Sequence, residues 1–311
     1  MRFPMPTATR VAVKTILLAT DFSAASDAAM NFAVGLACYY DSKLITAHVV
    51  WPMQYFSPEP AVSFIEQMDA VVGENMQQWA QRVRESGIPH TEVVPTGNVA
   101  DCLSQLMSTS DQIDLLVMGT HGRMGLDKLI NGSVAEEMIR QAKCPVLVVG
   151  PQVVMGKWGR EGRATTNLEF EVAWKRILFA TDLASGSLAT AHNAVKVAED
   201  HDAELTLLHV VQPSSESSQL PEIILGQSYK SIKLRNLLPP QYELKHAPEV
   251  LLEQGDPAEV ITRVARRRTA DLIVMGAHRT EHHLFAATHL WSSVVHHVIA
   301  RADCPVLLLP R

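Results

Sequence analysis

Four residues of this chain combine the types and spacing that chemistry needs: Gly119, Gly122, Gly132 and Ser133. They stand in the run Met118-Gly119-Thr120-His121-Gly122, then nine further positions, then Gly132-Ser133-Val134. Two glycines three apart let a loop adopt left-handed or crowded conformations. A Gly-Ser pair ahead of an apolar periodic run opens a helix whose free N–H groups favour an anion. The chemistry predicted is a phosphate cradle. Asp114 to Met118, just before it, reads as a short buried parallel strand, and open α/β sheets bind ligands at the carboxyl ends of such strands. The chain contains neither G-x-x-x-x-G-K-[ST] nor G-x-G-x-x-G, so ordinary P-loop phosphoryl transfer loses its main support.

The elements that must position this loop are written twice. The segment ending in Thr20-Asp21 recurs as the one ending in Thr181-Asp182, and His48-Val49-Val50 recurs at the same separation as His209-Val210-Val211. Asp114 to Gly119 returns as Asp271 to Gly276, and Cys144-Pro145-Val146-Leu147 as Cys304-Pro305-Val306-Leu307. Four blocks matched in one order indicate a duplication. Each copy alternates short β-branched runs with amphipathic stretches, which predicts a parallel sheet with helices on both faces. In the first copy strands are expected near 15–20, 44–50, 91–95, 114–118 and 145–149, with helices near 23–40, 61–86, 98–109 and 133–142. Ser23 and Ser133 read as N-caps, and Gly87 and Pro89 as the stop of the second helix. Residues 1–13 form a tail, and 151–173, polar and glycine-bearing, a linker between domains at 14–150 and 174–311. Between Gln212 and Glu249 four prolines, Pro213, Pro221, Pro239 and Pro240, predict a partly irregular crossover in the second copy.

Bulk properties exclude several classes. At 311 residues the chain holds about two ordinary domains, and 47% apolar against 19% charged residues supplies two real cores rather than disorder. A formal net charge of −6 and the lack of any Lys/Arg run argue against nucleic acid as a partner. Cys38, Cys102, Cys144 and Cys304 are too scattered for a disulfide framework and read as small buried hydrophobes in a reducing compartment. Met1 to Lys14 has no apolar run long enough for a signal peptide or a membrane span, so the expectation is a cytoplasmic protein with no membrane partner.

With these blocks in view, the chain resembles the universal stress proteins of the UspA type, specifically their tandem two-domain members, over residues 14–150 and 174–311. The first copy matches the nucleotide-binding signature G-x2-G-x9-G-[ST] of that family in full with Gly119, Gly122, Gly132 and Ser133. The resemblance implies two doubly wound, five-stranded α/β domains that are Rossmann-like, of the adenine nucleotide alpha hydrolase type, and packed as a pseudo-dimer. It also implies ATP as the ligand. Asp21 then lies near the adenosine, the backbone of Val49 meets adenine, and Gly119, Gly122, Gly132 and Ser133 hold the phosphates, with Thr20, Met118 and Val134 as neighbours. The physics agrees, since a carboxylate accepts from a ribose hydroxyl and backbone amides read adenine and phosphate. Singly, each residue has a structural reading. Asp21 could cap a helix, and Ser133 with Glu136 is a capping box whose acidic first turn, with Glu137, opposes an anion. Together, at the family spacing, they favour binding.

The second copy keeps Thr181-Asp182 and His209-Val210, but its loop reads Gly276-Ala277-His278-Arg279 and its helix opens on Ser292-Ser293. Bulk at Arg279 sits where backbone must approach phosphate. Asp182, Val210, Gly276, Arg279 and Ser293 therefore mark a degenerate site. Of the six histidines between His278 and His297, only His278 and His282 have helical ligand spacing, in an expected loop, while His283, His289, His296 and His297 lack a carboxylate-joined pair, so no metal is assigned. The apolar runs after Pro145 and Pro305 are edge-strand candidates that need covering. The resemblance implies pairing through this last strand, so the two copies are expected to dock on each other, with further dimerisation of whole chains as an expectation.

The leading function is nucleotide-dependent regulation in a stress response, through an unnamed protein partner. The rivals are a slow ATPase or autophosphorylating protein, with Mg²⁺ joining the phosphates and His121 as the nearest titratable group, and a scaffold that binds no nucleotide. A nucleotidylyltransferase-like enzyme fits the fold without its catalytic motifs.

Overall fold

A computed structural model describes residues 12–51, 62–108, 112–120, 133–155, 172, 174–184, 186–212, 220–277 and 287–310, with the backbone alone for 62–69, 133, 155, 220–227 and 287–293. The chain divides into two compact units. Among the described residues, the first holds Val13–Val172 together with Ala277–Pro310, and the second holds 174–276. The last helix and strand of the second repeat thus belong to the first unit.

In the first unit the strands are β1 (Thr15–Ala19), β2 (Lys43–Ala47), β3 (His90–Val93), β4 (Leu115–Gly119) and β5 (Val146–Val149). They alternate with helices α1 (Ala24–Tyr40), α2 (Val62–Glu85), α3 (Val99–Ser108) and α4 (Ser133–Gln141). Eight of the nine lie within two residues of the sequence expectation at both ends, and β2 stops three residues short of it, at Ala47. Their spatial order is β3-β2-β1-β4-β5, and every pair is parallel. The order reverses between β1 and β4, so the crevice beyond the carboxyl ends of these two strands is where such a sheet takes ligands. Asp114 fixes their relative register, because its Oδ2 accepts from the amides of Lys14 (2.7 Å) and Thr15 (3.0 Å).

Helix α1 lies close to this sheet because its inward face is small: Ala25, Ala29, Ala33 and Ala37 are buried, and the larger Met30, Phe32 and Leu36 fill the space around them. Each of those larger side chains contributes about 1.5–3 kcal/mol by leaving water. Ser23 caps the helix by accepting from the Ser26 amide, and Gly87, at φ +74°, takes the left-handed turn after α2. The side chain of Ser133, the other expected cap, lies outside the described residues.

Residues beyond β5 depart from the linker expectation. Pro151–Met155 form a short helix, α5, with Val153 buried and contacts to α1. Pro151 opens it, where a missing N–H costs nothing, and the remainder of the expected linker, apart from Val172 and the backbone of Met155, falls outside the described residues.

The second unit carries β6 (Arg176–Ala180), β7 (Glu204–Val211), β8 (Glu249–Gln254) and β9 (Leu272–Ala277), ordered β9-β6-β7-β8 and again parallel throughout. Its helices are α6 (Ser187–Asp200), α7 (Leu220–Arg235) and α8 (Pro257–Arg267). Asp271 repeats the work of Asp114, its Oδ2 accepting from the amides of Lys175 and Arg176, both at 3.0 Å. The crossover expected to be irregular contains α7, with Pro221 in its first turn. Pro239 and Pro240 lie beyond its end, in irregular chain that leads to β8.

Helix α9 (Ala287–Arg301) and strand β10 (Val306–Pro310) complete the first unit. β10 pairs antiparallel with β5, matching Val306 to Val148, Leu307 to Leu147 and Leu308 to Val146, so the two apolar edges named from the sequence cover each other. Near this pairing Gly150 meets α9 so tightly that a Cβ would fall inside the van der Waals shell of the Ile299 carbonyl oxygen.

The cysteines depart in part from the sequence reading. Cys144 and Cys304 are buried and Cys102 is half-buried, whereas Cys38 is exposed on the outer side of α1. Burial pushes the Cys144 thiol up to about 11, which makes it inert at neutral pH.

Two stability outcomes follow. Gly150→Ala should lower the denaturation midpoint by the equivalent of about 1–3 kcal/mol, because backbone has to move. Gly73→Ala, in α2 with nothing within 4 Å of the added methyl, should raise it by about 0.5–1 kcal/mol. Chemical denaturation of both variants checks this. His90, His209 and His296 all have pKa values below the usual 6.5, in each case chiefly because burial penalises the charged ring. The unfolded chain therefore takes up protons first as pH falls, and stability should decline below about 6.5 until the folded rings also titrate. Denaturation midpoints between pH 8 and pH 5 read this slope.

Candidate functional site

The carboxyl end of β1 runs into Thr20-Asp21-Phe22-Ser23 before α1 begins. The Thr20 hydroxyl, 8% exposed, accepts from the Phe22 amide at 2.9 Å, and Phe22 adopts a left-handed φ of +59°. Asp21 Oδ1 accepts from the Ser23 amide (3.1 Å) and from the Ser26 hydroxyl (2.6 Å). Asp21 Oδ2 is buried and has no hydrogen-bond partner among the described residues. Burial of an unpaired carboxylate oxygen is costly, so an orphan of this kind marks a place where a donor from outside the chain would be stabilising. One oxygen of Asp21 thus holds the turn that starts α1, the structural role read from the sequence, and the other is not used by that turn.

The end of β2 faces the same crevice. The amides of His48 and Val50 donate to the carbonyls of Val93 (3.1 Å) and Pro95 (2.9 Å), which turns the intervening Val49 peptide toward the β1 side. The His48 ring donates Nδ1–H to the Thr20 carbonyl at 2.9 Å, and a carbonyl can only accept, so the proton sits on Nδ1. That ring takes the acceptor to which the Val49 amide would otherwise extend the ladder. No hydrogen bond to the Val49 amide or carbonyl occurs among the described residues. Phe22 packs on the His48 ring, with centroids 4.4 Å apart, and meets Trp79 of α2 edge-on at 5.7 Å, so its side chain ties the turn to the end of β2 and to α2.

At the end of β4, Met118 is a core residue, 5% exposed, and Gly119 is glycine for a packing reason. A Cβ there would lie 2.7 Å from the Ala25 carbonyl carbon and 2.8 Å from its oxygen. The bare backbone of Gly119 therefore seats the first turn of α1, and the Asp21 turn with it, on the end of β4. Val134 is half-buried in the first turn of α4. Gly122, Gly132, His121 and the side chain of Ser133 lie outside the described residues. So do Arg279, His278, His282 and His283 and the side chains of Ser292, Ser293 and His289.

The second repeat reproduces the turn. Thr181 accepts from the Leu183 amide (3.1 Å), Leu183 has φ +59°, Asp182 Oδ1 accepts from the Ala184 amide (3.1 Å) and the Ser187 hydroxyl (3.3 Å), and His209 Nδ1 donates to the Thr181 carbonyl (2.8 Å). Val210 follows His209 in β7, and Gly276 is buried in β9. The surroundings differ. Leu183 replaces the aromatic brace, and Lys233 of α7 donates to the Leu183 carbonyl at 2.8 Å. Burial is the first cause of the lowered His209 pKa, and Lys230 and Lys233 add to it against the Thr181 bond and Asp182.

Sequence reading missed Ser26, Phe22 and the ring role of His48. The available signal was the repeat itself, since Ser26 recurs as Ser187 at the same spacing from its aspartate.

Comparison with known proteins places this geometry. The model of the universal stress protein family matches residues 12–150 and again 173–310. A universal stress protein of Methanocaldococcus jannaschii is 33% identical over 144 residues, covering 44% of this chain and 81% of that protein. A putative universal stress protein of Staphylococcus aureus is 30% identical over 141 residues, or 45% and 85%. In fold, the crystal structure of a universal stress protein from Archaeoglobus fulgidus superposes over 96% of this chain and 97% of its own, with a TM-score of 0.66 at 18% identity. The repeated Thr-Asp turn, the paired histidines and the two family matches lead to one conclusion: the chain belongs to the universal stress protein family and carries the family's domain twice.

Proposed function

We propose that the first repeat binds ATP, and that this chain acts in stress responses through nucleotide-dependent regulation. In this reading Asp21 Oδ2 accepts a ribose hydroxyl, the unused peptide groups of Val49 meet the adenine edge, and the glycine segment 119–133 receives the phosphates. The observation that carries it is the buried, unpartnered Oδ2 of Asp21 at the topological switch point. Its chemistry fits a nucleoside, because a carboxylate oxygen needs a donor and a ribose hydroxyl is one. The free Val49 peptide one strand away offers a donor and an acceptor, as an adenine edge requires.

The second repeat keeps the turn but differs at the loop, where Arg279 and Ser292 stand in place of two glycines. It serves as a structural partner with a degenerate site. The antiparallel β5–β10 pairing supports a pseudo-dimeric arrangement of the two repeats, and further dimerisation of whole chains is part of the same proposal. Catalysis is not assigned to any residue. Mg²⁺ accompanying the triphosphate would screen its charge against Glu136 and Glu137.

Titration calorimetry on the full chain should give one ATP per chain. Asp21→Asn, which weakens the acceptor while keeping the turn's size, should reduce affinity by about tenfold. Gly122→Arg, which copies the second repeat, should abolish binding. Two equivalent sites, or unchanged affinity in both variants, would contradict the proposal.

A further inference from the structure

The Ser26 hydroxyl is 4% exposed on its residue and has one proton to give. That proton goes to Asp21 Oδ1 at 2.6 Å, while the hydroxyl oxygen accepts from the Asp21 amide (3.3 Å) and from the Ser23 hydroxyl (3.4 Å). With both acceptor positions in use, the hydroxyl cannot rotate its proton elsewhere without losing a bond. The carboxylate is therefore held at one end from two directions, by the Ser23 amide and by Ser26, and its other oxygen has no partner among the described residues. A carboxylate free to rotate about χ2 would exchange its oxygens and blur this distinction.

We propose that Ser26 is a positioning residue for ligand selection: its hydroxyl binds Asp21 Oδ1 so that Oδ2 alone is presented to a ribose hydroxyl. This rests on the adenine-nucleotide reading of the first repeat and adds to it which residue makes the site select ribose. Ser26 touches no ligand itself. Its effect passes through Asp21, so it should change discrimination at the sugar and leave recognition of phosphate alone.

The test compares ATP with 2′,3′-dideoxy-ATP by calorimetry on the full chain. The wild-type chain should prefer ATP by about tenfold, the size expected for a hydrogen bond to a charged acceptor. Ser26→Ala should bring the two affinities within about twofold and leave the affinity for inorganic tripolyphosphate unchanged. Ser26→Thr, which keeps the hydroxyl, should retain the preference. Should Ser26→Ala fail to fold, Ser26→Cys, which keeps the side chain's length but offers a weak donor, should show the same loss. A preference for ATP that survives in Ser26→Ala or in Ser26→Cys overturns the role of Ser26 while leaving nucleotide binding intact. A wild-type chain that binds no adenine nucleotide overturns the functional reading, and this assignment with it.

Discussion

A single carboxylate links the start of the first helix to the chemistry of the crevice. Asp21 leaves β1 and must satisfy the amide of Ser23 and the hydroxyl of Ser26 before α1 can begin. Both bonds fall on one oxygen, because the left-handed backbone at Phe22 folds the chain back on that side. The second oxygen is buried and has no donor among the described residues. A buried oxygen left unpaired costs stability, which a donor bound from outside the chain would offset. The packing beneath depends on this arrangement too. Gly119 has no side chain, so Ala25 can sit against the end of β4, and that contact sets the height of the turn above the sheet.

Duplication has preserved the turn more closely than its surroundings. Thr181, Asp182, Leu183, Ser187 and His209 repeat the bonding of the first copy, including the left-handed φ at the third position. Around it, an aromatic brace of Phe22, His48 and Trp79 has been exchanged for Leu183 and a lysine that binds a backbone carbonyl. The turn is needed to start a helix in either copy, so it persists on structural grounds alone. The packing around the turn is under no such constraint, and it is there that the two copies differ.

Much of this was legible in the sequence, for definite reasons. The strands read clearly because continuous apolar runs such as Leu115 to Met118 have few alternatives, and Ser23 and Gly87 marked helix ends through chemistry that is local to a few residues. The pairing of the two Pro-Val-Leu runs was expected from the family resemblance together with the need to cover apolar edges. What escaped depended on distant contacts. Pro151–Met155 looked like linker because a five-residue helix shows no period, and only the burial of Val153 accounts for it. Gly119 was read as room for phosphate, whereas its nearest neighbour is Ala25, 94 positions earlier in the chain. The outward position of Cys38 turned on which face of α1 meets the sheet. Ser26 went unread, because its spacing from Asp21 acquires meaning only once the turn is built.

The central claim is that the unpartnered oxygen of Asp21 is a ligand atom. A crystal structure of the chain grown with ATP tests it most directly. The expected result is a nucleoside in the crevice between β1 and β4, with a sugar hydroxyl within hydrogen-bond distance of Asp21 Oδ2 and the base against the Val49 peptide. A nucleotide bound elsewhere, or Oδ2 satisfied by a protein side chain or a fixed water with no ligand beside it, would contradict the claim.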